Sequence, residues 1–308
     1  MKAARIHQYG GPEQLELQDI AVPHISADEV LIKIHAAGVN PVDWKIREGY
    51  LSQMLAHTLP LTLGWDIAGE VVAKGDAVDD LNLGDAVYSR PEISRDGGYA
   101  EYIAVKAEEV AIKPNSLNWV QAAAVPLAAL TAWQALYDIA ALKSGDKVLI
   151  HAGAGGVGHL AIQLAKLKGA RVYTTASKAN HEFVTALGAD EAIDYQNDDF
   201  TRLKDIDVVF DTMGGEVQAN SWQCLKAGGI MVSIVEPLEE AKAAQHNAKG
   251  EFCFVQPSRT QLNELAALFD AGQLKIEVAQ TLPLAQAADA LAKSESGKTR
   301  GKLVLEVG

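Results

Sequence analysis

The spacing of apolar positions changes near residue 120. Before it, Val30, Ile32 and Ile34 alternate with Leu31, Lys33 and His35, and further strand-like runs cover 66–73, 85–89 and 99–112. Gly75, Gly84, Gly97-Gly98 and Pro114 punctuate these runs as turns. Alternation with a period of two is that of half-buried strands, so the region predicts a compact, barrel-like β domain. From about 121 onward, short apolar runs at 147–151, 171–175, 191–194, 206–211, 229–235 and 252–255 are separated by helical patterns such as 156–168, 178–187 and 215–226. Six strands in βα alternation predict a doubly wound parallel sheet, hence an α/β fold. After a helix at 258–271, strands at 275–279 and 302–307 flank a helix at 284–295. This tail either extends the parallel sheet or returns to the first domain.

The junction of the first parallel strand with its helix carries the most chemistry. Lys147-Val148-Leu149-Ile150-His151-Ala152 runs into Gly153-Ala154-Gly155-Gly156-Val157-Gly158, and His159-Leu160-Ala161-Ile162-Gln163-Leu164 continues as a helix. With 26 glycines in the chain, a G-x-G-x-x-G pattern arises by chance roughly 0.2 times, so its context has to decide. Here a strand precedes the glycines, an apolar helix follows, and a second strand comes next. That order builds a dinucleotide site, in which the glycines admit a pyrophosphate and the helix N-terminus faces it with free N–H groups. Gly153, Gly155, Gly156, Val157 and Gly158 are therefore candidate cofactor contacts.

An NAD site places an acid at the end of the second strand to bind the ribose 2′-hydroxyl. This chain instead reads Ala176-Ser177-Lys178, with no acid before Glu182. A hydroxyl and an ammonium suit a 2′-phosphate, which a carboxylate would repel. Ser177 and Lys178 thus point to NADPH over NADH; the alternative is that Lys178 merely opens a solvated helix.

Composition narrows the class. A net charge of −13 over 308 residues disfavours nucleic acid and anionic membrane as partners. The most apolar stretch, 119–142, is interrupted by Gln121, Pro126, Gln134 and Asp138, which argues against a membrane span. The N-terminus has no secretory apolar core, and two cysteines, Cys224 and Cys253, fit a reducing cytoplasm rather than a disulfide framework. Two cysteines cannot build a four-cysteine zinc site, and His7, His24, His35, His57, His151, His159, His181 and His246 show no ligand spacing. The expectation is a metal-free protein. Arg300 and Lys302 are further candidates for a phosphate contact, against the alternative of a solvated tail.

Several motifs in fixed order resemble a known family. Ala37-Gly38-Val39-Asn40-Pro41-Val42-Asp43-Trp44-Lys45-Ile46-Arg47, Leu63-Gly64-Trp65-Asp66-Ile67-Ala68-Gly69, Asp96-Gly97-Gly98-Tyr99-Ala100-Glu101-Tyr102, the glycine turn, and Ser296-Gly297-Lys298-Thr299-Arg300-Gly301-Lys302-Leu303-Val304 span the chain. Together they resemble the zinc-independent quinone oxidoreductase branch of the medium-chain dehydrogenase/reductase superfamily. The resemblance implies a GroES-like β-barrel-type catalytic domain at 1–120, completed by 272–308, and a Rossmann NADPH-binding domain at 121–271, with the active site in the cleft between them. It also implies a homodimer joined at the nucleotide-domain sheet edge near 252–255. Zinc-dependent relatives carry a cysteine near Asn40-Pro41-Val42-Asp43 and a histidine–glutamate pair where this chain has Trp65-Asp66.

By the same resemblance, Asn40 and Thr131 lie near the nicotinamide end, where short polar groups hold a carboxamide or ribose; ordinary strand-end or helix hydrogen bonding is the alternative. Asp43 orders its loop rather than transferring protons. Lys45 stands where related enzymes often carry a tyrosine, as an oxyanion-stabilising ammonium or as a solvated lysine. Tyr50 is a second wall or proton donor. Tyr195 falls where the family places a tyrosine beside the 2′-phosphate, and Ile234 falls where backbone groups line the nicotinamide pocket.

The expected activity is NADPH-dependent, zinc-free reduction of quinones or α,β-unsaturated carbonyls by hydride or single-electron transfer, in the cytoplasm. An enoyl-thioester reductase, or an NADPH-binding sensor with little turnover, are the alternatives.

Overall fold

The computed structural model describes residues 1–307. The chain forms two compact units, Met1–Leu127 with Gln256–Gly308, and Ala128–Val255. These limits differ from those expected at 120/121 and 271/272. The helix Trp119–Ala123 packs on strands Glu29–Val39 and Ile67–Lys74 of the first unit. The helix Arg259–Asp270 packs on strand Val110–Ile112, and its Leu262 carbonyl accepts a 2.5 Å hydrogen bond from Tyr88 Oη.

The first unit is built on β-sheet. Its larger sheet runs Val278–Pro283, Lys302–Glu306, Glu29–Val39, Ile67–Lys74, Ala86–Ser89, Val110–Ile112, and Tyr102–Lys106 also pairs with Glu29–Val39. The alternation read from Val30, Ile32 and Ile34 is that of the structure: all three are buried, while Lys33 is exposed. The tail returns to this unit, since Lys302–Glu306 lies antiparallel to Glu29–Val39 with Leu303 opposite Val39. A smaller sheet joins Leu15–Asp19, Lys2–Ile6 and Leu61–Thr62.

The second unit carries a six-stranded parallel sheet, ordered Glu191–Asp194, Arg171–Ala176, Lys147–Ile150, Ile206–Asp211, Leu225–Ser233, Lys249–Phe252. Two expected strands are displaced toward the N-terminus, 229–235 to Leu225–Ser233 and 252–255 to Lys249–Phe252. Leu149, Ile193, Ile206, Val209, Trp222 and Met231 form a core cluster on this sheet. The first of these six strands along the chain, Lys147–Ile150, lies centrally. The next two add on one side and the fourth crosses to the other, so the order reverses between Lys147–Ile150 and Ile206–Asp211. At such a switch point the loops diverge and leave a crevice beyond the carboxyl ends of the strands.

Candidate active site

The glycine turn leaves the central strand at that crevice. Its entry is fastened to the neighbouring strand: Gly153 N donates to Thr175 O at 2.9 Å, and Ala152 N to Thr175 Oγ1 at 3.1 Å. Ala152 has φ of +48°, a conformation that non-glycine residues rarely hold. The three glycines of the pattern do different work. A Cβ on Gly153 would lie 2.0 Å from Thr174 Oγ1, and one on Gly158 would lie 2.3 Å from Ala152 O. Those two glycines are required by packing inside the protein. At Gly155 a Cβ would meet a single atom, Ala152 O at 3.2 Å, a tight contact but far less crowded than at the other two glycines. The helix Gly158–Leu167 begins directly afterwards, its His159 N–H bonded to Gly155 O and its Leu160 and Ala161 N–H groups to Val157 O.

His151 underpins this turn. Its ring is buried, with Nδ1 3.2 Å from Thr175 Oγ1 and Nε2 2.8 Å from Ser221 Oγ. Ser221 Oγ donates to Val217 O at 2.6 Å, so it accepts from Nε2–H. Nδ1 is then the acceptor for the Thr175 hydroxyl, and Thr175 Oγ1 remains free to accept from Ala152 N. A single chain of donors thus links Val217 to the turn through a neutral imidazole. Burial agrees, lowering the His151 pKa to about 4.

Ser177 and Lys178 follow strand Arg171–Ala176, and Tyr195 follows strand Glu191–Asp194. Lys178 and Tyr195 are exposed, and Ser177 is half-buried with Oγ accepting from Asn180 Nδ2 at 3.1 Å. Ile234 is half-buried beyond Leu225–Ser233, its N–H bonded to Asp211 O at 3.1 Å. Asp211 Oδ1 accepts the N–H groups of Met213 and Gly214, both at 2.9 Å, and Oδ2 accepts from Ser233 Oγ at 2.7 Å. That carboxylate shapes the second loop of the crevice. Thr131 is buried on the helix Pro126–Trp133.

In the first unit, Asn40 caps the helix Pro41–Arg47, whose first position is proline. Its side chain is turned inward. Asn40 Nδ2 donates to Asp66 Oδ2 at 2.9 Å, and Asn40 Oδ1 accepts from Lys302 Nζ, which also reaches Asp66 Oδ2 at 3.2 Å. Asp66 Oδ1 accepts from Leu127 N at 2.7 Å. Asp43 Oδ2 accepts from Asn40 N and Tyr99 Oη, both at 2.7 Å, whereas its Oδ1 has no partner. Burial pushes the Asp43 carboxyl up to about 7 and raises Asp66 as well. On the same short helix, Lys45 Nζ lies 5.9 Å from the centre of the Trp44 ring, and exposed Tyr50 meets that ring edge-on at 6.0 Å. Lys302 is therefore not a solvated charge of the tail. The last strand carries it opposite Asn40 and buries it to 3% exposure. Arg300 pairs instead with Glu277, at 3.0 Å.

Comparison with known proteins finds two matching family domains. The alcohol dehydrogenase GroES-like domain matches residues 26–115, and the zinc-binding dehydrogenase domain matches 187–305. A protein of Arabidopsis thaliana, NADPH-dependent alkenal/one oxidoreductase, chloroplastic, is 37% identical over 99% of this chain and 79% of its own. The chain belongs to the quinone oxidoreductase branch of the medium-chain dehydrogenase/reductase superfamily. Among solved structures, the quinone oxidoreductase from Coxiella burnetii is 40% identical, with a TM-score of 0.94 over 100% of this chain and 99% of that one. The Escherichia coli quinone oxidoreductase complexed with NADPH is 30% identical, with a TM-score of 0.91 over the whole of both chains.

Among the described residues, no three or more His, Cys, Asp or Glu side chains gather to hold a metal. At Asp66 a cation is already supplied, by Lys302. The turn suits a dinucleotide, because Gly155 is the least crowded of its three pattern glycines and the positive end of the Gly158–Leu167 dipole faces it.

Asp66, Tyr99 and Lys302 were not expected as a cluster with Asn40. Lys302 carried a signal that could be read, a charge inside the apolar strand pattern of 302–307, but its partner is 262 residues away. Nor did the pattern assign His151 a role beyond packing or surface exposure. Among the described residues, no helix is long and apolar enough to cross a membrane.

Proposed function

We propose that this oxidoreductase uses NADPH, without a metal, to reduce quinones and α,β-unsaturated carbonyls in the cytoplasm. The observation that carries the reading is the glycine turn. Gly153 and Gly158 are closed against several of the protein's own atoms, while Gly155, at the switch point, meets only Ala152 O. The backbone from Gly155 through Gly158, with Gly156 and Val157, would hold the pyrophosphate. Ser177, Lys178 and Tyr195 would hold the 2′-phosphate, and Ile234, Asn40 and Thr131 the nicotinamide end. When bound, the cofactor supplies a hydride equivalent to an acceptor that is already electron-poor.

The protein's own share is alignment and charge stabilisation. An acceptor conjugated to a carbonyl places its developing charge on an oxygen, and hydrogen-bond donors aimed at that oxygen lower the barrier. Lys45 and Tyr50 are the donors proposed for it, both on the Trp44 ring. Asp43 is unsuited to that task, since it is fully buried and its Oδ2 is already engaged by Asn40 N and Tyr99 Oη. The reading also takes the protein as a homodimer. Lys249–Phe252 is the edge strand of the parallel sheet, and its outer backbone groups are available for pairing.

The test is NADPH deuterated at the nicotinamide C4 with a short enone as acceptor, followed by mass spectrometry of the product. Deuterium at the β-carbon supports hydride reduction, and reduction of the enone without it overturns that step. Binding of NADPH with no turnover on any quinone or enone favours a sensor.

A further inference from the structure

Lys302 and Asn40 face each other across antiparallel strands, because Leu303 opposite Val39 sets Lys302 against Asn40. Both are buried, as are Asp66, Asp43 and Tyr99 around them. The identity of the neighbours decides how the Asn40 amide is turned. An ammonium can only donate, so the amide atom that it touches is the oxygen. An ionised carboxylate can only accept, so the amide atom against Asp66 is the nitrogen. Asn40 is thereby held between one obligate donor and one obligate acceptor, each charged and out of water. Its second Nδ2–H is left to bond elsewhere.

We propose that Lys302 is a positioning residue of this reductase, which locks the Asn40 side-chain amide in a single orientation for use at the nicotinamide end of the site. The proposal rests on the reading that Asn40 serves that end. Lys302 acts in two ways. It donates directly to Asn40 Oδ1, and its charge opposes the burial that raises the Asp66 carboxyl, whose two oxygens only accept, from Leu127 N, Asn40 Nδ2 and Lys302 Nζ. Without the ammonium, Asp66 is a buried carboxyl beside a second one, Asp43, and takes up a proton. A protonated carboxyl both donates and accepts, so the amide can then turn either way.

The experiment compares the wild type, Lys302→Met and the double variant Lys302→Met/Asp66→Asn. Three readings are taken: melting temperature, steady-state kinetics on an enone, and the 15N-detected side-chain amide of Asn40, assigned by its loss in Asn40→Asp. Lys302→Met is expected to lower Tm and to cut kcat by about tenfold or more, with the KM for NADPH held within about twofold. The double variant buries no unpaired charge, so Tm recovers, but residue 66 keeps its oxygen on Leu127 N and turns an amide N–H toward Asn40, which reverses the Asn40 amide, and kcat stays low. The Asn40 amide gives one slowly exchanging pair of signals in the wild type, doubled or broadened signals in Lys302→Met, and one shifted pair in the double variant.

Recovery of kcat together with Tm in the double variant would make Lys302 a structural counterion only and overturn the proposal. So would an unchanged Asn40 amide signal in folded Lys302→Met. The amide reading stands even if the wild type reduces no acceptor, an outcome that would strike the functional reading and leave the locking of Asn40 to be judged by the spectrum.

Discussion

Ser177 and Tyr195 each stand one residue beyond a register pair, Ala176 opposite Asp194, at the carboxyl ends of two adjacent parallel strands. Neighbouring strands therefore deliver a hydroxyl and a phenol to one edge of the crevice, with the Lys178 ammonium following Ser177. The arrangement is suited to a phosphate and offers no acid at the end of the second strand to meet a ribose diol. Lys178→Glu is expected to raise the KM for NADPH more than about tenfold while changing that for NADH by less than about threefold. Steady-state kinetics with both cofactors checks this, and equal effects on the two would remove Lys178 from the phosphate.

The glycines of the turn separate folding from binding. In Gly153→Ala the new methyl meets Thr174 Oγ1 at 2.0 Å, an overlap that costs about 1–3 kcal/mol in strain and rearrangement. In Gly155→Ala the nearest atom is at 3.2 Å, which asks the backbone to give by only a few tenths of an ångström. Calorimetry of the melting temperature and of NADPH affinity should split the pair. Gly153→Ala loses stability, whereas Gly155→Ala keeps most of its stability and loses affinity.

Much of the second unit was legible because its signals are local. A glycine turn between a strand and a helix, and apolar runs spaced by helical patterns, depend on residues close in the chain. Strand limits drifted by several residues where the pattern was ambiguous, as at Lys249–Phe252, whose exposed alternation differs from the apolar run that follows it. Lys302 shows the opposite case. A charge near a C-terminus is ordinarily solvated, and only the long-range register of Leu303 with Val39 brings this one inside. The same reason hid the shared role of Asp66 and Tyr99. Nothing in their own segments says that three strand ends meet at Asn40.

Stability of the second unit should respond to acid through His151. Its imidazole is neutral and buried with a pKa of about 4, against 6.5 for the ordinary ring. The folded state thus binds fewer protons than the unfolded state between those values. Its contribution is fully present above pH 6.5 and is lost as pH falls toward 4, to the extent of about 3 kcal/mol. Thermal unfolding of the wild type and His151→Gln across this window checks it. The variant should lose less stability on acidification.

Asp43 has the opposite sign. Its folded carboxyl holds a proton up to about pH 7, whereas the ordinary group releases it near 3.8. Its contribution is full below 3.8 and is lost as pH rises to 7. Asp43→Asn keeps an oxygen to accept from Tyr99 Oη and Asn40 N and removes the titration. Its stability should be flatter than that of the wild type between pH 4 and 7, and higher relative to wild type at pH 8. Paired denaturant titrations at those pH values measure the difference.

The most direct test of the account is the loss of absorbance at 340 nm for chelator-treated protein, with NADPH and then NADH, against quinones, short enones, simple ketones and alcohols. The account predicts turnover on quinones or enones, NADPH preferred over NADH, and rates unchanged by removal of metal. Activity confined to alcohols and simple ketones, abolished by the chelator and restored by zinc, would contradict it.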